Sequence, residues 1–288
     1  MTGLAAFRGI VRSAVLVATV MTCMGCRSSP PPVEKPDDPP AYASVAERYN
    51  ARTAPLERLW ARVIVRFTAR DRNGNRRTEQ GEGYLQVIRP NHVLLSVGSY
   101  VDRMYFYLGS NDQLYWWVDS MKDHAREAAV GRLELATRER AAQLGVPVHP
   151  LDLLELIGVT TLPESGGEVR WVDRGRAIEV TAPARWGIRR LQLDPVMFEP
   201  TRIELLDDAG NMVARAEIAL PVAVTIEGSG HRPRIAGRVR IALPTLEAEV
   251  TIDIHSPETT SRRPRLQAFD LLSLLESLRI DQIYSLDE

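Results

Sequence analysis

Residues 60–67 read WARVIVRF, and residues 71–75 read DRNGN. In the first stretch apolar and charged residues alternate, which is typical of a β-strand with one apolar face and one solvated face. The side chains on the apolar face are Val63, Val65 and Phe67. The Asn-Gly pair in the second stretch favours a tight hairpin turn. Together the two stretches predict a β-hairpin whose second strand begins near residue 77.

The same two-residue period continues beyond this hairpin. It is clearest at residues 246–254, LEAEVTIDI, where apolar residues alternate with Glu, Thr and Asp. Further strands are predicted at residues 77–88, 92–98, 103–109, 113–119, 168–173, 176–182, 187–194, 200–207, 211–220 and 234–243. About a dozen antiparallel strands without a fixed internal repeat predict a mainly β fold, in which one large curved sheet closes or nearly closes into a barrel.

Four segments have the spacing of helices instead. Residues 42–59 predict one or two helical segments, interrupted at Pro55. Residues 133–144 and 149–158 predict two short helices, the second ending at Gly158, and residues 269–278 predict a short amphipathic helix. These helices are expected to cover the open side of the sheet.

The N-terminus has the layout of a cleavable export signal. Arg8 and Arg12 precede an apolar run at residues 14–24, and the small residue Gly25 stands immediately before Cys26. This pattern predicts a bacterial lipoprotein signal at residues 1–25, with an acyl group such as palmitate on Cys26. Cys23 is the alternative site, and an ordinary secretory signal or an uncleaved anchor remains an alternative to the lipoprotein signal.

A proline-rich tract follows the signal. Residues 26–41 include SSPPPVEKPDDPP, which cannot bury a core and is expected to be an extended, solvated tether. At roughly 3 Å per residue, about fourteen residues would reach some 40 Å from the lipid. Residues 42–288 are then expected to form a single domain. Removing the two signal arginines changes the formal net charge from −1 to −3, so no nucleic-acid partner is expected.

These features resemble a known family. The signal, the N-terminal helix, WARVIVRF, EQGEGYLQVIRPNHVLLSVG at residues 79–98 and MYFYLGSNDQLYWW at residues 104–117 are similar to the LolA/LolB superfamily of periplasmic lipoprotein carriers. The resemblance covers residue 42 to about residue 254 and rests on pattern and strand order. It implies an unclosed antiparallel β-barrel with a helical lid over an apolar cavity for acyl chains. Because this chain carries its own lipidation signal, the lipid-anchored LolB type is the more similar form.

The resemblance also implies partners and a location. The partners would be the acyl chains of lipoproteins or lipids, the bacterial membrane through the N-terminal lipid, and a soluble LolA-type carrier. The location would be the periplasmic side of the envelope, at the outer membrane. Tyr100 and Val101 are the candidates for a membrane or partner loop, with a turn folded back onto the sheet as the alternative. A lid-holding arginine is also implied, but the sequence does not indicate which arginine holds the lid.

Candidate lipid-binding residues combine the apolar face of the first hairpin with a concentration of aromatic side chains. Consecutive aromatic residues on a strand point to both faces of the sheet, so one face would be core or cavity and the other would need a cover. Simple core packing under the lid is the alternative. The candidates are Val63, Val65, Phe67, Leu85, Val87, Tyr105, Phe106, Tyr107, Trp116, Trp117 and Trp171.

Motifs for chemistry are missing from the sequence. It contains no nucleophile elbow, phosphate-binding loop or dinucleotide fingerprint, and its five histidines never occur at metal-ligand spacing. No catalytic residue, cofactor or metal is therefore expected, and the chain is interpreted as a non-enzyme. Two other hypotheses remain open: an envelope assembly or scaffold lipoprotein with a packed interior, and a hydrolase whose groups come from distant strands.

Overall fold

The structure is a computed structural model that describes residues 38–70, 74–98, 105–120, 126–144 and 148–288. Residues Glu34–Glu288 form one compact unit, and the core described below lies inside it. No helix in the described ranges is long and apolar enough to cross a membrane. Three predicted features lie outside the described residues: the signal with Cys26, most of the tether, and the loop with Tyr100 and Val101.

Helices are few and short. They are α1 (Tyr42–Thr53), α2 (Arg138–Ala141), α3 (Pro150–Leu156) and α4 (Leu271–Leu278). The strands of the N-terminal half are β1 (Arg58–Arg70), β2 (Arg76–Ile88), β3 (His92–Gly98), β4 (Tyr105–Ser110), β5 (Leu114–Asp119) and β6 (Glu127–Arg132).

Strands of the C-terminal half complete the fold. They are β7 (Glu168–Val172), β8 (Ala177–Ala184), β9 (Gly187–Leu193), β10 (Pro200–Leu206), β11 (Met212–Ala219), β12 (Val222–Ala223), β13 (Thr225–Ile226), β14 (Arg234–Ile235), β15 (Arg238–Leu243), β16 (Ala248–Thr259) and β17 (Gln282–Ser285).

One large sheet contains fifteen of these strands. Its order is β17-β6-β5-β4-β3-β2-β1-β16-β15-β11-β10-β9-β8-β7, with β13 beside β16, while β12 and β14 form a separate pair. The sheet does not close, because β17 and β7 are its two ends. The prediction of a mainly β fold with one large, unclosed sheet is confirmed. It is a mixed sheet, since β17 pairs with β6 and β13 pairs with β16 in parallel, where an entirely antiparallel sheet was expected.

The position of α3 shows that the sheet is strongly curved. This helix contacts β3 and β4 in one half of the sheet and β10 in the other. In the strand order, β3 and β10 are six strand spacings apart, which is about 29 Å in a flat sheet with strands roughly 4.8 Å apart. A helix is only about 10–12 Å wide. The two halves of the sheet must therefore curve toward each other around α3.

Glycines in β2 allow its close approach to β3. A Cβ atom at Gly83 would lie 1.8 Å from the carbonyl oxygen of Ser96, and one at Gly81 would lie 2.5 Å from a methyl group of Val97. Any larger residue would push the two strands apart, because backbone atoms cannot yield as a flexible side chain can. Glycine at these two positions therefore allows β2 and β3 to lie this close together.

The two faces of the sheet pack against different helices. The inner face, defined by side chains such as Val63, Leu85 and Val93, shares one core with residues of α1 and α3. The outer face of β3 to β6, defined by Leu94, Trp116, Val118 and Ala128, packs instead against the C-terminal segment that contains α4. The fold thus has a helix layer on both sides of its N-terminal half.

Three local predictions differ from the structure. Residues 133–144, expected to be one helix, contain a 3₁₀ turn at Leu133–Leu135 and only the single-turn helix α2. The strand expected at residues 234–243 is divided into β14 and β15 around Gly237, where a Cβ atom would lie 2.0 Å from the carbonyl oxygen of Leu220. The tail after α4 forms β17, which was not predicted. No local alternation indicates this strand, and its partner β6 is distant in the sequence.

Candidate functional site

Most of the candidate lipid-binding residues lie on the inner face. Four of them, Val63, Val65, Leu85 and Val87, are at most 5% exposed and form part of the main core. Four others are half-buried and pack against the same core: Phe67, Phe106, Trp117 and Trp171. The structure therefore brings eight of the eleven predicted residues together as one apolar surface with a partly exposed aromatic margin.

The remaining aromatic candidates do not join this surface. Trp116 is fully buried on the outer face, where Tyr107 also packs beneath the C-terminal segment. They are separated from Phe106 and Trp117, whose rings stack on the inner side with centroids 4.6 Å apart. Tyr107 and Trp116 lie in the outer-face core with the C-terminal segment, because neighbouring residues of a strand point to opposite faces. The Tyr105 side chain lies outside the described residues, although its backbone is in β4.

Helix α3 lies against the inner face. Pro150 occupies its first turn, and the His149 side chain accepts a hydrogen bond from the Leu151 amide through Nδ1, which caps the N-terminus. The left-handed backbone at Gly158 follows its end. Four leucines of this short helix are buried, on more than one side of it. A helix that is apolar on several sides is stable only when protein surrounds it, and here the two halves of the curved sheet do so.

A buried arginine connects the sheet to the segment that follows α3. Arg189 extends from β9 and is 3% exposed. Its guanidinium donates to the carbonyl oxygen of Thr161 at 2.6 Å and to the hydroxyl of Thr160, and its Nε lies 3.9 Å from a carboxylate oxygen of Glu155 in α3. Because a buried cation is costly unless it is paired, these contacts fix the position of α3 on the sheet.

Sequence reasoning missed Arg189, although a signal for it was present. Arg189 alternates with Leu191 and Leu193, which are both fully buried on the inner face. A charged residue at an apolar position of a strand is exceptional and indicates a specific partner. Its neighbour Arg190 lies on the opposite face, where it pairs with Glu204 at 3.2 Å.

Helix α1 is hydrogen-bonded to the segment that follows α3. The Asn50 side chain exchanges two hydrogen bonds with the backbone of Leu162, donating to its carbonyl oxygen at 2.9 Å and accepting from its amide at 2.7 Å. Arg52 donates to the carbonyl oxygen of Gly158 at 2.7 Å, and the Tyr42 hydroxyl donates to that of Pro163 at 2.8 Å. We call α1, α3 and residues 158–163 together the lid.

Titratable groups are buried beneath the lid. Burial, with the nearby Glu155 carboxylate, raises the pKa of Asp152 to about 7, against the opposing charges of Arg138 and Arg185. Burial also raises the pKa of Glu155, which Arg189 opposes. Burial and the charge of Arg185 lower the pKa of His149 to about 3, so this imidazole is neutral. The lid thus covers a site where added charge is costly.

Several buried polar atoms in this region have no hydrogen-bond partner among the described residues, including Nε of Arg189 and a carboxylate oxygen of Glu155. Two others are the Tyr115 hydroxyl and Nε2 of His149, whose rings pack with centroids 4.8 Å apart. Since His149 is neutral and its Nδ1 accepts a hydrogen bond, Nε2 carries the proton and is a buried donor. Such donors cost free energy unless an acceptor reaches them. They mark a place beneath the lid where a ligand oxygen would be favourable.

No protein-family model matches the sequence, and a comparison with curated proteins gives no match. Among solved structures, one similar protein is the "putative outer membrane lipoprotein-sorting protein domain" from Vibrio parahaemolyticus. It has a TM-score of 0.52 at 10% identity, with 81% of this chain and 97% of that chain covered.

The fold is LolA/LolB-like.

A LolA superfamily protein from Nitrosomonas europaea is also similar, with a TM-score of 0.47 at 12% identity over 78% of this chain and 96% of that chain. In this LolA/LolB-like fold, the described residues contain no group of three His, Cys, Asp or Glu side chains that could hold a metal ion. What the site offers is an apolar surface, a helical cover and a few buried polar groups.

The raised pKa of Asp152 predicts a pH dependence of stability. The folded protein keeps this proton up to about pH 7, whereas the unfolded chain releases it near pH 3.8, so stability falls as pH rises between these values. Asp152→Asn removes the titration. Its free energy of unfolding should exceed that of wild type by an amount that grows across this window to roughly 4 kcal/mol, at ~1.4 kcal/mol per pKa unit.

Urea unfolding of both proteins from pH 4 to pH 8 measures this difference. His149 titrates with the opposite sign, because its lowered pKa makes stability rise with pH up to about 6.5, so the difference between variant and wild type is the informative quantity. Asp208→Asn, which makes the same substitution at an exposed turn, is the matched control. A difference for Asp152→Asn that stays flat with pH, or that matches the difference for Asp208→Asn, would contradict the assignment.

Proposed function

We propose that this protein is a lipid-anchored carrier or receptor of the bacterial envelope, which shelters the acyl chains of lipids or lipoproteins between the inner face and the lid. It performs no covalent chemistry. The observation that carries the proposal is α3: an apolar helix covers an apolar sheet face, and polar contacts from Arg189 to Glu155 and Thr161 hold it there. Arg189 is our candidate for the lid-holding arginine that the family resemblance implies.

The energetics of exchange support this role. A palmitoyl chain has fifteen CH₂ and CH₃ groups after its carbonyl carbon, and burying it would contribute about 12 kcal/mol at ~0.8 kcal/mol per group. Displacing the four buried leucines of α3 would cost about 8 kcal/mol at ~2 kcal/mol each. These opposing contributions are of similar size, so an acyl chain can displace α3 from the inner face without a separate energy source.

The polar groups beneath the lid suit the other end of such a ligand. The half-buried rings of Phe106 and Trp117 offer apolar contact at the margin of the inner face. The buried N–H of His149 would donate to an ester or carboxyl oxygen. Burial raises the pKa values of Asp152 and Glu155, so negative charge is unfavourable at this site. A ligand with a neutral ester therefore fits the site better than a ligand with a free carboxylate.

The proposed location follows from the N-terminus. Acylation of Cys26 would hold residues 42–288 at the periplasmic side of the outer membrane through the tether at residues 26–41. A soluble LolA-type carrier is the proposed donor of cargo. The Vibrio parahaemolyticus neighbour is described as a lipoprotein-sorting domain, in line with this role.

One observation favours a second candidate. Inner-face side chains such as Leu59 and Val87 are fully buried by the protein itself in the described conformation. A chain whose interior stays packed in this way would act as an envelope assembly lipoprotein that binds another protein through its surface. Acyl-chain binding separates this candidate from the carrier.

A photoreactive analogue of palmitic acid methyl ester tests the carrier directly. On the soluble unit Glu34–Glu288 it should label Phe106 or Trp117 and leave Trp116 unlabelled. Trp117→Ala should weaken binding about tenfold, because losing roughly 50 Å² of apolar contact costs ~1.3 kcal/mol. Tyr84→Ala, an exposed aromatic residue on the outer face, is the matched control and should bind normally. Labelling of outer-face residues alone, or no binding, would favour the assembly lipoprotein.

The anchor has its own test. Radioactive palmitate should label the wild-type chain and the Cys23→Ala variant in growing bacteria, and both should fractionate with membranes. Cys26→Ala should lose the label and leave the membrane fraction, since one short apolar run does not replace a covalent lipid. Persistent labelling of the Cys26→Ala variant would indicate that the lipid is attached to Cys23.

A further inference from the structure

A groove lies on the outer face, next to the connection between β16 and α4. Its volume is about 620 Å³. It is lined by Trp60, Gln86, Arg262, Arg263, Pro264, Arg265, Gln267 and Ala268. Trp60 and Gln86 alternate along β1 and β2 with fully buried inner-face residues, so they point away from the lid. The groove is therefore separate from the proposed acyl-chain site.

The charge of this groove is positive. Three exposed arginines line it, and the lining residues, all of which belong to the described part of the chain, include no Asp or Glu. Arg262 lies near Glu227, whose pKa is lowered by hydrogen bonds from Ser261 and by the charge of Arg262. No ion pair of Arg263 or Arg265 is present among the described residues. The groove therefore carries about two positive charges that no neighbouring carboxylate neutralises.

Arg263 is held in place by its surroundings. The guanidinium of Arg263 lies over the Trp60 ring, 4.9 Å from its centroid, and Trp60 in turn packs against Tyr84 at 5.2 Å. Arg58 in β1 donates a hydrogen bond of 3.2 Å to the carbonyl oxygen of Pro264, which attaches the connection to the sheet. An arginine ordered in this way loses less entropy when it binds an anion, and its planar fork matches the oxygens of a phosphate.

The volume of the groove and the residues beside it limit which ligands it could bind. A free phosphate ion would fill only a small part of a groove of this volume, whereas a glycerophosphate headgroup would occupy much more of it. Leu266, in the same connection, is 58% exposed. An apolar side chain beside arginines and an aromatic ring is typical of protein surfaces at the boundary between lipid headgroups and acyl chains. We propose that this groove binds the phosphate-bearing headgroup of an anionic phospholipid at a membrane surface.

Vesicle flotation of the soluble unit Glu34–Glu288 tests the proposal. The unit should float with phosphatidylglycerol-containing vesicles and stay behind with pure phosphatidylcholine vesicles, and added salt should release it. The double variant Arg263→Gln and Arg265→Gln should lower the partition coefficient about thirtyfold, at ~1 kcal/mol per arginine near an anionic surface. The double variant Arg176→Gln and Arg232→Gln has the same net charge, exposed positions outside the groove, and an expected change below threefold.

Several outcomes would overturn the proposal. Equal losses in both double variants would mean that the protein binds through general charge attraction. Equal flotation with both kinds of vesicle, or flotation with neither, would exclude an anionic headgroup as the ligand. Calorimetric titration with glycerol 1-phosphate tests whether the ligand is a soluble phosphate ester. Tight binding of glycerol 1-phosphate without flotation would assign the groove to such a ligand. Thermal unfolding checks that each variant folds. Trp117→Ala should float like wild type, so a failure of the acyl-chain proposal would leave this result unchanged.

Discussion

The structure depends on the need to cover one apolar face of an open sheet. Fifteen strands form a sheet with two free ends, so its curvature alone cannot exclude water from the inner side. Helix α3 solves this problem by contacting β3 and β4 in one half and β10 in the other. The cover comes from a short separate segment held by polar contacts, and this is what makes a removable lid physically reasonable.

Charged residues divide between the two faces in a way that supports this arrangement. On the outer face of the C-terminal half, buried Glu179 and Glu204 pair with arginines of neighbouring strands, including Arg190 and Arg215. These cross-strand pairs help to hold the strands of this half together. On the inner face, Arg189 is the one arginine among the described residues that is buried, and its partners belong to the lid. Several arginines of the sheet thus have structural roles.

The sequence predicted much of this fold because two-residue alternation is a local property. Most strands and the mainly β architecture followed from it. The helix at α1 followed from helical spacing, and the unclosed barrel was implied by the family resemblance. The inner-face positions of Val63 and Leu85 followed as well, since each strand has only two faces. The sequence could not predict that Trp116 packs under α4, or that the tail pairs with β6, because both depend on contacts between distant segments. Arg189 was missed because identifying its role required knowing that residues 158–163 pass beside it.

Native-state hydrogen exchange tests the central claim that α3, as part of the lid, can open and is not a fixed part of the core. Amides such as Leu153 and Ile157, which donate within α3, should exchange through a local opening, at least a hundredfold faster than amides of β2 and β9. Arg189→Met should accelerate exchange in α3 and residues 158–163 and leave the strands unchanged. If α3 exchanges only with global unfolding, at the rate of the strands, the helix is part of the core and the account is contradicted.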